Sequence, residues 1–386
     1  MVRGVAGGGR PRTLDLLGAA SFVALGLPNG MIGTAWPAMR RAFGAPVGDL
    51  GLVLIVATAG AVAVSTLVGA GMRRLGPPVI LSLAAGLGAL GALGFTLAPG
   101  LPTVAGIALL LGLSAGALDG ALNTVAGLSA RAHLLNLLHG AYGIGTALGP
   151  LVVTIAIVAG SWRGAYLALA VADVGLAALW ARSRGATARP ATPPHRRRTR
   201  LDGRVVGGMV VFFVYTGLEV TAGQWETSFS RQHLGLPAFW AGVGTFAYWG
   251  ALTVVRLLLA AVRRPPPPAL LVRAGGAAAA VAAAVIWWQP TRAITLGAFA
   301  VLGAALAGVF PALVTMTPAR VGRREAQDVI AWQVGAAAAG GSAVAALVGL
   351  LIGAAGFAVL GPSLVALALI LCGLERLVWR VRAAAR

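Results

Sequence analysis

Apolar runs about as long as a bilayer core is thick follow one another along almost the whole chain. They fall at 13–37, 49–71, 77–98, 103–128, 135–159 and 162–182, then at 205–229, 238–262, 267–288, 292–315, 326–352 and 356–378. Each has roughly the 20 residues a helix needs to cross hydrocarbon. Unpaired backbone amides are intolerable there, so every run is predicted to be helical. The breaks are short except at 183–204, SRGATARPATPPHRRRTRLDGR, where Pro, Arg and Thr dominate. The pattern predicts an all-α membrane protein with twelve transmembrane helices in two pseudo-symmetric six-helix bundles. Its expected organisation is a tail at 1–12, one bundle at 13–183, a polar linker at 184–204 and a second bundle at 205–380.

Composition agrees with a chain whose main solvent is lipid. Of 386 residues, 58% are hydrophobic and only 10% charged, against about 25% charged in soluble domains. The 56 glycines suit helices that pack closely in a membrane. A net charge of +20 raises the possibility of nucleic-acid binding, but the basic residues, all of them Arg, punctuate the apolar runs rather than share a face. They read instead as a topology signal. With the N-terminus cytoplasmic, twenty-four Arg fall in cytoplasmic segments and five (Arg40, Arg41, Arg163, Arg231 and Arg292) in the opposite loops. That asymmetry places both termini inside. Trp36, Trp162, Trp287 and Trp288 at outer ends, with Trp180 and Trp379 at inner ends, are expected to form aromatic belts. The single Cys, Cys372, excludes an internal disulfide and a Cys-based metal site. No cleavable leader is expected in MVRGVAGGGRPR.

The two halves echo one another. GAGMRRLG at 69–76 matches LAAVRR at 259–264, and NLLHGAYGIG at 136–145 matches IAWQVGAAAAGG at 330–341. Asp119 and Asn123 in helix four lie at the depth of Pro311 and Thr315 in helix ten. Repeated six-span units with a midplane site between them are a transporter architecture.

GAGMRRLGPP after helix two resembles the loop signature of the major facilitator superfamily. LDGALNTVAGLSARAHLLNLLHGAYGIGTALGP (118–150), YTGLEVTAGQW (215–225), GVFPALVTMTPAR (308–320) and IAWQVG (330–335) resemble its fucose permease-like branch of sugar:proton symporters. The resemblance implies alternating access, a helix-four carboxylate and a polar start to helix five. Two departures stand out. The loop signature carries an acid where this chain has Arg73, and the branch carries a helix-one carboxylate near Gly33. The acid of that signature latches the cytoplasmic gate against helix eleven. Here Glu325 and Asp328, in the first turn of that helix, are expected to pair with Arg73 and so to reverse the latch. Gly69, Arg74 and Gly76 belong to the same gate motif.

Ionisable groups inside spans cost about 2.5–3.5 kcal/mol on insertion scales, so they point to function. Asp119 and Glu219 are the candidate proton-coupling groups and are expected to face one central cavity. Asn29, Asn123, Asn136, His139, Tyr215, Gln224, Trp225, Trp332 and Gln333 are candidate substrate contacts, amides for hydrogen bonding and Trp for stacking on a sugar ring. Tyr248 and Trp249 are further aromatic candidates. Each has a structural counter-reading as an interhelical bond or lipid contact. Gly112, Gly116 and Gly120 read as a helix-packing stripe. Arg256, a gate candidate, must snorkel inward or find an acid, with snorkelling favoured. Glu226 is expected to reach outer-leaflet water, Asp15 to be solvated at the inner surface, and Asp173 has no evident role.

No P-loop, HExxH or nearby Cys–His pair is present, which argues against ATP-driven transport and a membrane-embedded enzyme. The expected protein carries no cofactor or metal and is driven by a proton gradient. It moves a sugar-like solute as a monomer, in the cytoplasmic membrane of a bacterium. A proton-driven efflux pump for drugs or hydrophobic metabolites is the alternative within transport; a membrane sensor or scaffold is the alternative outside it.

Overall fold

The computed structural model describes residues 10–128, 132–183, 201–262, 264–322 and 325–380. Twelve helical segments are long and apolar enough to cross a membrane. In the first half they are α1 (Arg10–Phe43), α2 (Leu50–Leu75), α3 (Pro77–Leu97), α4 (Leu101–Leu128), α5 (Ala132–Val158) and α6 (Arg163–Arg182). In the second they are α7 (Gly203–Gln232), α8 (Ala238–Ala261), α9 (Pro268–Trp288), α10 (Arg292–Leu306) with α11 (Val309–Val321), α12 (Ala326–Ala355) and α13 (Leu360–Arg380). The tenth span is therefore two helices, α10 and α11, with a turn at Ala307 and Gly308. Twelve spans put the start of α1, the end of α6, the start of α7 and the end of α13 on one side of the membrane, called here the linker face; the opposite side is the far face.

Local chemistry sets several helix ends. Asp202 caps α7 by accepting hydrogen bonds from the backbone N–H groups of Arg204 and Val205, which satisfies donors that an α-helix leaves open. Thr291 caps α10 in the same way through Ile294. At the other ends, Gly76 after α2 and Gly322 after α11 have φ values of +89° and +91°, a backbone region that glycine enters without penalty.

The halves pack by the same rule. In the first, α1 lies on α5, α2 on α4 and α3 on α6; in the second, α7 lies on α12, α8 on α10 and α9 on α13. Glycines at corresponding places allow the backbones to meet. A side chain at Gly145 of α5 would run into the Val23 carbonyl of α1, and one at Gly340 of α12 into the Phe213 carbonyl of α7. Gly112 of α4 meets Ala57 of α2 as Gly303 of α10 meets Tyr248 of α8. Lipid supplies no hydrophobic drive for helices to associate, so close van der Waals contact at small residues carries the packing.

Contacts between the halves include a cluster near the far face. The Thr227 hydroxyl of α7 donates to Thr34 of α1 at 3.2 Å, and the Gln224 amide donates to the Asn29 carbonyl at 2.8 Å. Arg40 donates to the Gln232 side-chain oxygen at 2.8 Å. Gly48 faces Gly349, and Gly51 packs on Ala346. Near the linker face, Arg73 makes no ion pair with Glu325 or Asp328 among the described residues.

The expected aromatic belts hold in part. Trp287 and Trp288 are exposed at the far end of α9. Trp36, Trp162 and Trp180 are buried instead, with Trp36 donating to the Val47 carbonyl and Trp180 to the Ser21 hydroxyl. An indole N–H that finds a partner inside the protein has no need of the membrane interface. The Trp379 side chain lies outside the described residues.

In a Cys372→Ser background, Thr34→Cys with Thr227→Cys should form a disulfide across the seal, since the two hydroxyls are in contact. With a protease site placed in the linker, the cleaved halves are expected to migrate together until reduced. Separation under oxidising conditions would contradict the seal.

Candidate functional site

The site begins with a proline. Pro311 has no N–H to donate to the carbonyl four residues back, so Ala307 loses its helical partner. Arg256 of α8 supplies one, its Nε donating to the Ala307 oxygen at 3.2 Å. Tyr215 of α7 places its hydroxyl 3.0 Å from the adjacent Leu306 oxygen. Carbonyls opened by the break in span ten are thus closed by side chains from two neighbouring helices, as membrane interiors require.

Those two side chains meet on Glu219. Arg256 Nη2 stands 3.6 Å from Glu219 Oε2, with 28% and 15% of the two side chains exposed. Tyr215, one turn before Glu219 on α7, hydrogen-bonds to the same carboxylate. Tyr248 of α8 donates to the Glu219 backbone carbonyl at 2.7 Å. Arg256 therefore takes the acid rather than the snorkelling route favoured on sequence grounds, and it lines the cavity described next.

Glu219 and Arg256 line a cavity of about 340 Å³ between the halves, within the roughly 300–1,000 Å³ of small-molecule sites. Asn29, Tyr142, Gln224 and Trp249 also line it. Asn29 donates to the Tyr142 hydroxyl, so α1, α5 and α7 are tied around one wall. Gly33 sits one turn beyond Asn29. A Cβ there would come within 2.7 Å of Gln224 atoms, so the close approach of α1 and α7 leaves no space for a helix-one carboxylate at that position.

Asp119 does not line this cavity, although Ala115 and Leu118 on the same helix do. The expectation that Asp119 and Glu219 share one chamber is corrected. Asp119 accepts from Asn123 at 2.8 Å and lies within electrostatic reach of His139.

Other candidates separate from the cavity. Gln333 is buried and accepts from Thr317 at 2.8 Å, joining α12 to α11. Trp225 is fully buried, donates to the Ala345 carbonyl at 2.9 Å and packs on Gly349. Trp332 is half-buried and outside the lining. The side chain of Asn136 lies outside the described residues. Glu226 is fully buried with neither carboxylate oxygen partnered, away from the outer-leaflet water expected for it. Gly69 lies beside Arg73 in the last turns of α2, Arg74 is exposed, and Glu325 precedes α12 with Asp328 in its first turn.

The geometry defines a twelve-span protein of two like halves with a largely apolar chamber between them that carries the Glu219–Arg256 pair. The family model described as "Major Facilitator Superfamily" matches residues 18–346. The chain belongs to that superfamily, and is a transporter and integral membrane protein rather than an enzyme. No curated protein matches it in sequence. Among solved structures, the nucleoside transporter NupG in a mutant form aligns with a TM-score of 0.73 at 14% identity, over 95% of this chain and 99% of that one. A bacterial homolog of the human lysosomal transporter Spinster, inward-facing and occupied, aligns at 0.76 and 12% identity, over 96% and 97%. A D-xylose–proton symporter aligns at 0.72 and 16%, over 93% and 96%. At such identities the likeness is one of fold.

Removing one member of a desolvated ion pair strands the other, whereas removing both leaves little charge to compensate. Arg256→Met is therefore expected to lower stability in detergent by about 1–3 kcal/mol, with much of the loss returned by adding Glu219→Gln. Additive losses in that cycle, followed by thermal unfolding, would argue against the pair.

Proposed function

We propose that the protein is a proton-coupled secondary transporter of a small hydroxyl-rich solute, a sugar or nucleoside-like metabolite, of the fucose permease-like type. The observation that carries this reading is the Glu219–Arg256 pair in the wall of the cavity between the halves. Asn29, Gln224 and Tyr142 supply hydrogen-bonding groups and Trp249 a flat face beside it, a combination suited to sugar hydroxyls and rings. The nucleoside and D-xylose transporters among the fold neighbours support the solute class by analogy only.

Glu219 is the proposed coupling group. When ionised, it takes Arg256 and the Tyr215 proton, and Leu306 must share that proton. When protonated, it can donate to Tyr215, freeing the Tyr215 hydroxyl for Leu306. The two protonation states thus favour different bonding around the break in span ten, which gives a proton leverage over the packing of α7, α8 and α10. Asp119, with His139 and Asn123, is the proposed relay toward the linker face.

The Arg asymmetry supports cytoplasmic termini in a bacterial cytoplasmic membrane. The far-face seal then corresponds to an inward-facing state, and the Arg73 latch with Glu325 or Asp328 belongs to the opposite state. The rocking of two halves about a midplane site supplies the transport step. Many cavity residues are Ala, Leu, Gly or Val, and that observation favours the second reading, efflux of a hydrophobic compound.

Purified protein in proteoliposomes, given a pH gradient and a panel of sugars, nucleosides and drugs, decides between them. Uphill flux of a sugar or nucleoside is expected, reduced roughly tenfold or more (about 1.4 kcal/mol) by Glu219→Gln. Unchanged pH dependence in the Glu219→Gln, Asp119→Asn double variant would end the coupling scheme. Drug flux alone would favour the efflux reading.

A further inference from the structure

The cavity extends beyond the Glu219–Arg256 centre into the first half, where its wall includes Gly88 of α3, Ser114 of α4 and Asp173 of α6. Asp173 is 5% exposed, and among the described residues no hydrogen bond or ion pair partners its carboxylate. Its Oδ2 and the Ser114 Oγ flank the space over Gly88: a Cβ at that position would stand 2.7 Å from one and 2.8 Å from the other. Glycine at position 88 therefore lets both oxygens lie close against α3 beside the cavity, where any side chain would displace them. Toward the far face the same wall carries Phe95 and Tyr166, their rings 4.9 Å apart, with the Tyr166 hydroxyl buried and unpartnered.

A carboxylate withdrawn from water without a counter-charge is costly, so a buried one is neutralised by a proton or paired with a cation. The side-chain groups that meet at Gly88 are oxygens. Oxygens suit hard cations and N–H donors. Arg256, the cation of the cavity, is engaged with Glu219 and Ala307.

We infer that the oxygen pair of Asp173 and Ser114 beside Gly88 is a binding site for a small monovalent cationic centre. That centre is either the ammonium group of a solute or an inorganic ion such as sodium. The site requires the cavity but not the solute class proposed above, and its test reads binding rather than flux, so the two proposals fail separately.

The full chain, purified in detergent, is unfolded thermally in sodium chloride, methylammonium chloride or choline chloride at equal ionic strength. The unfolding midpoint is expected to be higher in sodium or methylammonium than in choline, because a ligand that binds only the folded state stabilises it. A rise with sodium alone assigns an inorganic ion, and a rise with methylammonium alone assigns an amine subsite. The rise should vanish in Asp173→Asn and weaken in Ser114→Ala. If Asp173→Asn does not fold, Gly88→Ala, whose methyl group displaces both oxygens, serves instead and should also abolish the rise. Equal midpoints in all three salts, or a rise that survives these substitutions, would overturn the assignment and leave Asp173 carrying its own proton.

Discussion

A backbone carbonyl without its helical partner organises the centre of this protein. In hydrocarbon such a group is tolerated only if a side chain or a cavity satisfies it. Pro311 creates the need at Ala307 and Arg256 meets it. A guanidinium at that depth then needs an anion, and Glu219 is 3.6 Å away. One local defect thus accounts for a proline, an arginine and a glutamate on three different spans. It also places charge beside the chamber between the halves.

Around that centre each half is packed through its own close helix contacts. Within each half, backbone meets backbone at glycines such as Gly112, Gly145, Gly303 and Gly340. Contacts of that closeness tolerate little deformation, because packed interiors respond to strain as units. Between the halves, glycine approaches such as Gly33 on Gln224 and Gly51 on Ala346 stand beside hydroxyl and amide contacts such as Thr34 with Thr227 and Gln224 with Asn29.

Much of the fold was legible because the bilayer imposes it. Run length gave twelve spans, and the break at 183–204 separated six from six. What the apolar pattern hid was the split of the tenth span, since Ala307 and Gly308 interrupt the helix without interrupting the hydrophobicity. Pro311 was the available signal, and its consequence appears only by counting back four residues to the freed carbonyl. The site was legible as a set of residues, but not as partners. Glu219, Arg256 and Tyr215 were each marked, yet nothing local to Arg256 on α8 reveals an acid on α7. Gln333 and Trp225 met the description of cavity residues and turned out to be fastenings between helices, because an amide or indole serves either purpose. Asp173 had no reading until Gly88 and Ser114, far away in sequence, came to lie beside it.

The dependence of Arg256 on the freed carbonyl can be measured by a second thermodynamic cycle, pairing Arg256→Met with Pro311→Ala. Alanine returns an N–H to Ala307, so part of the need for the guanidinium disappears. Followed by thermal unfolding, the cost of Arg256→Met should be smaller in the Pro311→Ala background by about 1 kcal/mol. Equal costs in both backgrounds would mean that proline and arginine act independently, and the centre would need a different explanation.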